Sequence, residues 1–549
     1  MSLVLPKHTP IPGAPHLRAL PVADYEKPAA DRIQVRPAVA LLTALLVGGL
    51  MRLTFVLSAD FPLNDGGLFY AMIGDLRAAS FHLPQTTSYN AADIPFTYPP
   101  LGFYFGGLLT QITPLDAFDV LRLLPLFVSI ATIPAFYLLA RSLLPSRSEN
   151  LAATFVFALL PRGSMWMIMG GGLTRSFGLL FMILALQQLH TAYTTRRTRP
   201  VLLTMLFGGL TLLSHMEMTL LLLVGGCALF AAFGRSRDGV RRSIAIAGGA
   251  LLVAAPWWMT VVARYGVSPF FAAGGSRSVL DLRPLLQIVT LNAGNEALFP
   301  LLTLLGICGL LVCLGERRWF LPVWIAAAAL AEPWVLATAV TVPLALLGGV
   351  GVTRALIPFA ERVTGDTRPW LQSWAPAVVL AIVIVYAAIA GLVATSSLSS
   401  ALPRSERQAM AWAAENTPPS SRFLVVSGEP WWGDKASEWF PVLGQRPSVA
   451  TPQGLEWLPN GRFGATRKAH ELAQECAGHN SDCLTQWSVS TGVSFSHIYL
   501  SKSVPRSLAR FNYDDCCLVL RSSLMQDPSY IAIYDGPGAT IFVRRPAAP

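Results

Sequence analysis

Asn64-Asp65-Gly66-Gly67-Leu68-Phe69-Tyr70 follows the first long apolar segment of the chain, and its reading decides the rest. A carboxylate on a glycine-containing loop at the mouth of a helical bundle is placed to accept a proton from a bound hydroxyl. Asp65 also has plainer readings, as a solvated loop carboxylate or a helix cap, because Asp followed by two glycines is common turn chemistry. Which reading holds depends on what lies on either side.

The 549 residues are 53% hydrophobic and 13% charged, with a mean hydropathy of +0.50. That composition implies a multi-span membrane protein. Spans are expected at about 37–58, 121–140, 150–166, 173–193, 201–214, 218–233, 243–263, 297–314, 319–331, 335–352 and 374–394, about eleven helices. Residues 1–36 have no apolar run and read as a disordered cytoplasmic tail rather than a cleaved signal peptide. Residues 59–120 form a loop too long and too rich in carboxylates to be a plain connector. Within it, Tyr98-Pro99-Pro100-Leu101 opens an apolar piece that reads as a helix lying in the interface.

The net charge of +10 sits in short clusters between apolar segments, which fits topology and not a nucleic-acid partner. With the N-terminus cytoplasmic, Arg141 and Arg147, then Arg196, Arg197 and Arg199, then Arg235, Arg237, Arg241 and Arg242 fall inside. Arg317 and Arg318, then Arg354, Arg362 and Arg368, follow the same rule. Asp65, His215, Glu217, Glu332 and the C-terminal region are then extracytoplasmic. Residues 398–549 change to the composition of a soluble α/β domain, with strands at 423–426, 498–500, 531–534 and 541–543. Cys227, Cys308 and Cys313 lie in spans, whereas Cys476, Cys483, Cys516 and Cys517 are exported. Four exported cysteines suit disulfides, with Cys476–Cys483 the local pairing; a zinc site is the weaker alternative.

Other groups join Asp65 on the exported side. Ser214-His215-Met216-Glu217 turns between two spans, where His215 and Glu217 either mark the interface or face a cavity shared with Asp65. In that second case they orient an acceptor or, with Asp65, hold a divalent cation such as Mg or Mn. Gly170-Gly171-Gly172 precedes Arg175, which either snorkels to headgroups or meets an anion such as phosphate. The loop at 264–296 adds Arg264, Arg277 and Arg283. Trp431, Trp432, Glu438 and Trp439 place aromatics beside carboxylates, and most of them read as core or as packing against the membrane half.

In layout and short motifs the chain resembles the GT-C glycosyltransferases, which include protein O-mannosyltransferases, aminoarabinose transferases and oligosaccharyltransferase catalytic subunits. The likeness rests on Asp65 early in a long exported loop, Tyr70 shortly after it, the Tyr98–Leu101 motif, and Arg122 opening the second span. It implies an enzyme using a polyprenyl-phosphate sugar donor, with Asp65 activating the acceptor or helping to bind a metal. Tyr70, Tyr98, His215 and Glu217 would line the acceptor side, and Arg175, Arg264, Arg277 and Arg283 would serve the donor phosphate. The acceptor would be a protein, a glycan or a lipid. Gly66 stands where many relatives carry a second acid. The rival readings are a transporter and a non-catalytic scaffold subunit.

Overall fold

A computed structural model describes residues 36–195, 197–275, 286–364, 374–459, 461–504 and 515–545. The expected tail up to residue 35 lies outside these residues, as do Arg196, Arg277, Arg283 and Arg368. Helix α1 (Pro37–Ser58) begins on a proline, whose missing N–H falls among donors that a helix leaves unpaired anyway. The exported loop then forms α2 (Gly67–Ala78) and α3 (Leu101–Ile112), each of 12 residues. Neither is long enough to cross a hydrocarbon core. Pro100 caps α3, as the Tyr98–Leu101 motif predicts.

Helix α4 (Ala117–Leu143) is followed by α5 (Arg147–Leu159) and a single turn, α6 (Arg162–Met165). The expected span at 150–166 is thus broken. Leu160 precedes Pro161, and a residue before proline is pushed out of the helical region, here to ψ 119°. The break turns residues 160–171 into an irregular segment that delivers Arg162, Trp166 and three glycines to one end of the bundle.

Helices α7 (Gly172–Thr194), α8 (Thr198–Leu212), α9 (Met216–Phe233) and α10 (Arg237–Tyr265) follow. Two short pieces, α11 (Ser268–Gly275) and α12 (Leu286–Val289), lie beyond Tyr265. The bundle continues with α13 (Leu301–Gly315), α14 (Phe320–Ala331), α15 (Leu336–Gly351), α16 (Ile357–Thr364) and α17 (Trp374–Leu398). Among the described residues, seven helical segments are long and apolar enough to cross a membrane. The other four expected spans fall on α5, α8, α13 and α14, of 13, 15, 15 and 12 residues. Helix α15, apolar all round, is buried along its whole length at the centre.

A charged side chain lies within the bundle. Arg52 of α1 is buried and donates to the Gly48 carbonyl (2.7 Å), the Ala158 carbonyl (3.0 Å) and Ser129 Oγ (3.1 Å). A buried guanidinium survives in such a place because it is hydrogen-bonded, and here it ties α1 to α4 and α5.

The C-terminal region contains α18 (Arg404–Asn416), α19 (Lys435–Leu443), α20 (Arg462–Glu475), α21 (Asp482–Thr491) and α22 (Leu518–Gln526). They surround a sheet of β1 (Phe423–Val426), β2 (His497–Ser501), β3 (Tyr530–Asp535) and β4 (Ala539–Arg544), in the order β1-β2-β4-β3. β1 and β2 pair in parallel, whereas β4 runs antiparallel to both β2 and β3. All four strands fall where the sequence predicts them. Disulfides join Cys476 to Cys483, the expected local pair, and Cys516 to Cys517.

Strand residues alternate between faces, and here each face serves a different core. Leu424, Val426, Ile498, Leu500 and Phe542 pack with Trp487, Leu484 and Leu520 in a core of the domain's own. Phe423, Val425, Tyr499 and Ile541, on the other face, join Phe440 and Trp439 in a cluster with Phe61, Leu68, Met72 and Phe96 of the exported loop. The loop and the outer domain therefore share one hydrophobic core.

Candidate active site

The Asp65 loop is held by backbone contacts from two directions. Leu63 bridges to Ala401, and the Gly170 amide donates to the Leu63 carbonyl at 3.0 Å. Asn64 exchanges hydrogen bonds with Ser400, its amide donating to the Ser400 carbonyl (3.0 Å) and its Oδ1 accepting from the Ser400 amide (2.9 Å). Gly66 takes φ +131°, a conformation that side chains rarely adopt. This aims the Asp65 carboxylate at the 170–172 turn. Its Oδ1 accepts the Gly171 amide at 2.8 Å, and its Oδ2 lies 3.6 Å from Arg175 Nη1. A Cβ at Gly170 would lie 1.9 Å from the Asp65 carbonyl oxygen, and one at Gly171 would lie 2.3 Å from Oδ2. Close approach of the two backbones thus requires these glycines.

Arg175 is one of two guanidiniums here. Its Cζ lies 5.2 Å from the Trp166 ring centre and that of Arg162 lies 4.5 Å away, so the indole carries two cations. Arg162 Nε donates to Thr338 Oγ1 at 2.8 Å. Asp65 and Arg175 are each about 25% exposed, so solvent or a ligand reaches both.

Tyr98 stands beside this group, packed on Phe69, Phe103, Trp457 and His215, the last at 6.4 Å between ring centres. Burial pushes its hydroxyl up to about 12, so it remains a proton-bearing donor. His215 precedes α9 as its N-cap residue, and Glu217 sits buried in the first turn of that helix. Tyr70 stacks on Phe118 at 4.3 Å. Arg264 donates to the Leu83 and Pro84 carbonyls at 2.8 and 2.9 Å, clipping α10 to the exported loop. Glu332 is buried after α14.

Three comparisons bear on this arrangement. No curated protein sequence matches the chain significantly. A family model described as dolichyl-phosphate-mannose-protein mannosyltransferase matches residues 97–260, which include Arg162, Arg175, His215 and Glu217 but not Asp65. Solved structures match over nearly the whole chain. The oligosaccharyltransferase AglB from Archaeoglobus fulgidus, in complex with an inhibitory peptide and a dolichol-phosphate, is 14% identical, with 85% of this chain and 69% of that one covered, at a TM-score of 0.56. ArnT from Cupriavidus metallidurans bound to undecaprenyl phosphate is 14% identical over 93% and 98%, at 0.52. The arabinofuranosyltransferase AftD from Mycobacteria is 19% identical over 92% and 41%, at 0.53. The fold is that of the GT-C glycosyltransferases.

Within this GT-C fold, two residues near Asp65 escape a reading of sequence. Arg162 follows a proline at an unexpected helix break, and only the shared Trp166 marks it as a partner of Arg175. Glu438 reads as packing, yet its Oε1 accepts the Gly66 amide at 2.9 Å. Burial and then the Asp65 charge push its carboxyl up to about 8, with the Gly66 and Gly67 amides opposing. The signal for it in the sequence is an acidic residue beside Trp439 in a region otherwise suited to a small core.

The candidate metal set of Asp65, His215 and Glu217 does not form a ligand cluster. Among the described residues no three His, Cys, Asp or Glu side chains are grouped to hold an ion. Asp65 already engages an amide and a guanidinium, which fit a bare carboxylate better than a metal ligand.

Proposed function

We propose that the chain is a glycosyltransferase that moves a sugar from a polyprenyl-phosphate-linked donor to an acceptor hydroxyl on the extracytoplasmic face of a membrane. The observation that carries this reading is Asp65, accessible and ionically paired, set beside the Arg175–Trp166–Arg162 group at one end of a GT-C bundle. Asp65 takes the acceptor proton as that oxygen attacks the anomeric carbon and the bond to the lipid phosphate breaks. Negative charge then grows on the departing phosphate. Guanidinium groups meet phosphate through paired hydrogen bonds, and Arg175 neighbours the base while sharing the Trp166 ring with the second cation, Arg162. Tyr98 and His215 form the wall on the acceptor side.

The orientation is supported by the arginines at the other end of the helices. Arg354 and Arg318 gather there around Glu149, and Arg242 donates to the Ala192 and Thr195 carbonyls. Charge enriched at that end makes it cytoplasmic under the positive-inside rule, which leaves Asp65 and the outer domain outside. The acceptor is a protein, a glycan or a lipid presented on that side.

The test is transfer by the purified protein in lipid vesicles, using labelled polyprenyl-phosphate sugars and an extract of envelope acceptors. Label should move with wild-type protein and not with Asp65→Asn. Equal transfer by both would remove Asp65 as the base. Binding of the lipid without turnover for any sugar would favour a scaffold.

A further inference from the structure

The outer domain does more than cover the site, because its helix α19 grips the Asp65 loop from behind. Trp439 Nε1 donates to the Asn64 carbonyl at 2.9 Å, and Glu438 Oε1 accepts the Gly66 amide at 2.9 Å. The Glu438 carbonyl accepts Tyr89 Oη at 2.7 Å. The same carbonyl oxygen lies only 2.5 Å from where a Cβ on Gly67 would stand, so α19 and the start of α2 touch backbone to backbone. The two residues that flank Asp65 are thus each hydrogen-bonded to the outer domain. Gly66, with its positive φ, has no side chain of its own to fix its peptide.

We propose that Glu438 is a positioning residue: it fixes the Gly66 peptide, and through it the direction of the Asp65 carboxylate, so that the site is complete only with the outer domain docked. Glu438 is buried, beside Asp65 and within the field of Arg175. Burial and the neighbouring Asp65 charge raise its carboxyl, which favours the neutral acid, whose carbonyl-type oxygen accepts the amide without placing a second full charge next to the base. A glutamine would present the same oxygen at the same reach. An aspartate would keep the acid but withdraw the oxygen by one methylene.

The activity arm of the test rests on the transfer reading above; the exchange arm does not. Full-length wild-type protein, Glu438→Gln, Glu438→Asp and Glu438→Ala are compared by hydrogen–deuterium exchange of the peptide covering residues 63–70. Transfer kinetics are measured on the same samples. Ala and Asp should raise exchange at this peptide about tenfold, with Gln close to wild type. In transfer, Ala and Asp should lower kcat on the order of 100-fold, as expected for a displaced reacting group, with KM for the lipid donor changed less than about threefold. Gln should restore kcat to within a few-fold. If Ala does not fold, Asp decides. Unchanged exchange in Asp and Ala overturns the proposal, as does a Gln variant as impaired as Asp. Wild-type protein that transfers nothing, while the exchange pattern holds, would sink the transfer reading and leave the positioning role supported.

Discussion

Two clusters of charged residues stand at the two ends of α5, and they are built differently. At the Glu149 end, a buried carboxylate takes Arg354 Nε at 2.6 Å, and the same guanidinium reaches Glu316 at 2.8 Å, with Arg318 completing the group. Arg354 arrives there because one π turn, Val352–Leu356, interrupts the helix between α15 and α16 and re-aims its side chain. At the Arg162 end, Asp65 and Arg175 stand 3.6 Å apart and partly open, and Arg162 meets a threonine hydroxyl and an indole face within the field of Glu217. The first cluster pairs two carboxylates with two guanidiniums and joins three helix ends. The second is partly open, with Asp65 beside Arg175 and both guanidiniums in the field of the buried Glu217, so an anionic ligand can still reach them. Enclosure, more than the presence of charge, separates a staple from a site.

The contrast can be broken by mutation at either end. The largest expected effect is on Asp65→Asn, which removes the base and should lower transfer by roughly 100- to 10,000-fold while leaving the thermal midpoint within a few degrees. A comparable thermal loss would make Asp65 part of the staple class. Next, Arg175→Ala should lower transfer about 100-fold and Arg162→Ala about tenfold, read as kcat/KM for the lipid donor. Equal small effects on both would separate the indole-linked pair from the chemistry.

At the other end the effects should be on stability. Arg354→Met leaves Glu149 buried with only Arg318 at 4.0 Å and should cost about 3 kcal/mol, read as faster thermal inactivation in detergent. Transfer per folded molecule should not change. A loss of turnover without loss of stability would erase the distinction between the clusters.

The smallest effect concerns pH. Burial raises Glu438 to about 8 and Asp434, Glu406 and Glu456 to about 7. Each binds its proton more tightly folded than unfolded, so its stabilisation is full below the unfolded carboxyl range and is lost as pH rises through 7 to 8. Asp60, held down to about 2 by Arg404 and Arg407, is ionised in both states over that window and does not contribute to the slope. Tm should therefore fall steadily from about pH 5 to about pH 9. A flat profile would mean that these carboxyls reach water.

Much of this architecture is legible in the chain because the bilayer imposes it. Seven of the expected spans appear at crossing length, and the four strands and the Cys476–Cys483 bond fall where alternation and spacing put them. What escapes the sequence are contacts between distant segments. Glu438 lies 372 residues from Gly66, and no local pattern announces that pairing. Nor does the apolar run around Arg52 reveal that the guanidinium meets carbonyls of α1 and α5. Arg162 is hidden by an apolar run that reads as helix through Trp166, although Pro161 gives the reason for the break. Asp65 is readable as a candidate, but its partners at Gly171 and Arg175 emerge only when the two exported turns are brought together.

The partly open end, with Asp65, Arg175 and Arg162, is proposed as the lipid-phosphate site. It is tested most directly by binding of a sugar-free polyprenyl phosphate to the purified full-length protein, comparing wild type, Arg175→Ala and Arg354→Met. Wild type and Arg354→Met should bind with similar affinity, and Arg175→Ala at least about tenfold more weakly, in line with removal of a charged hydrogen bond. Undiminished binding by Arg175→Ala, or a loss confined to Arg354→Met, would rule this site out.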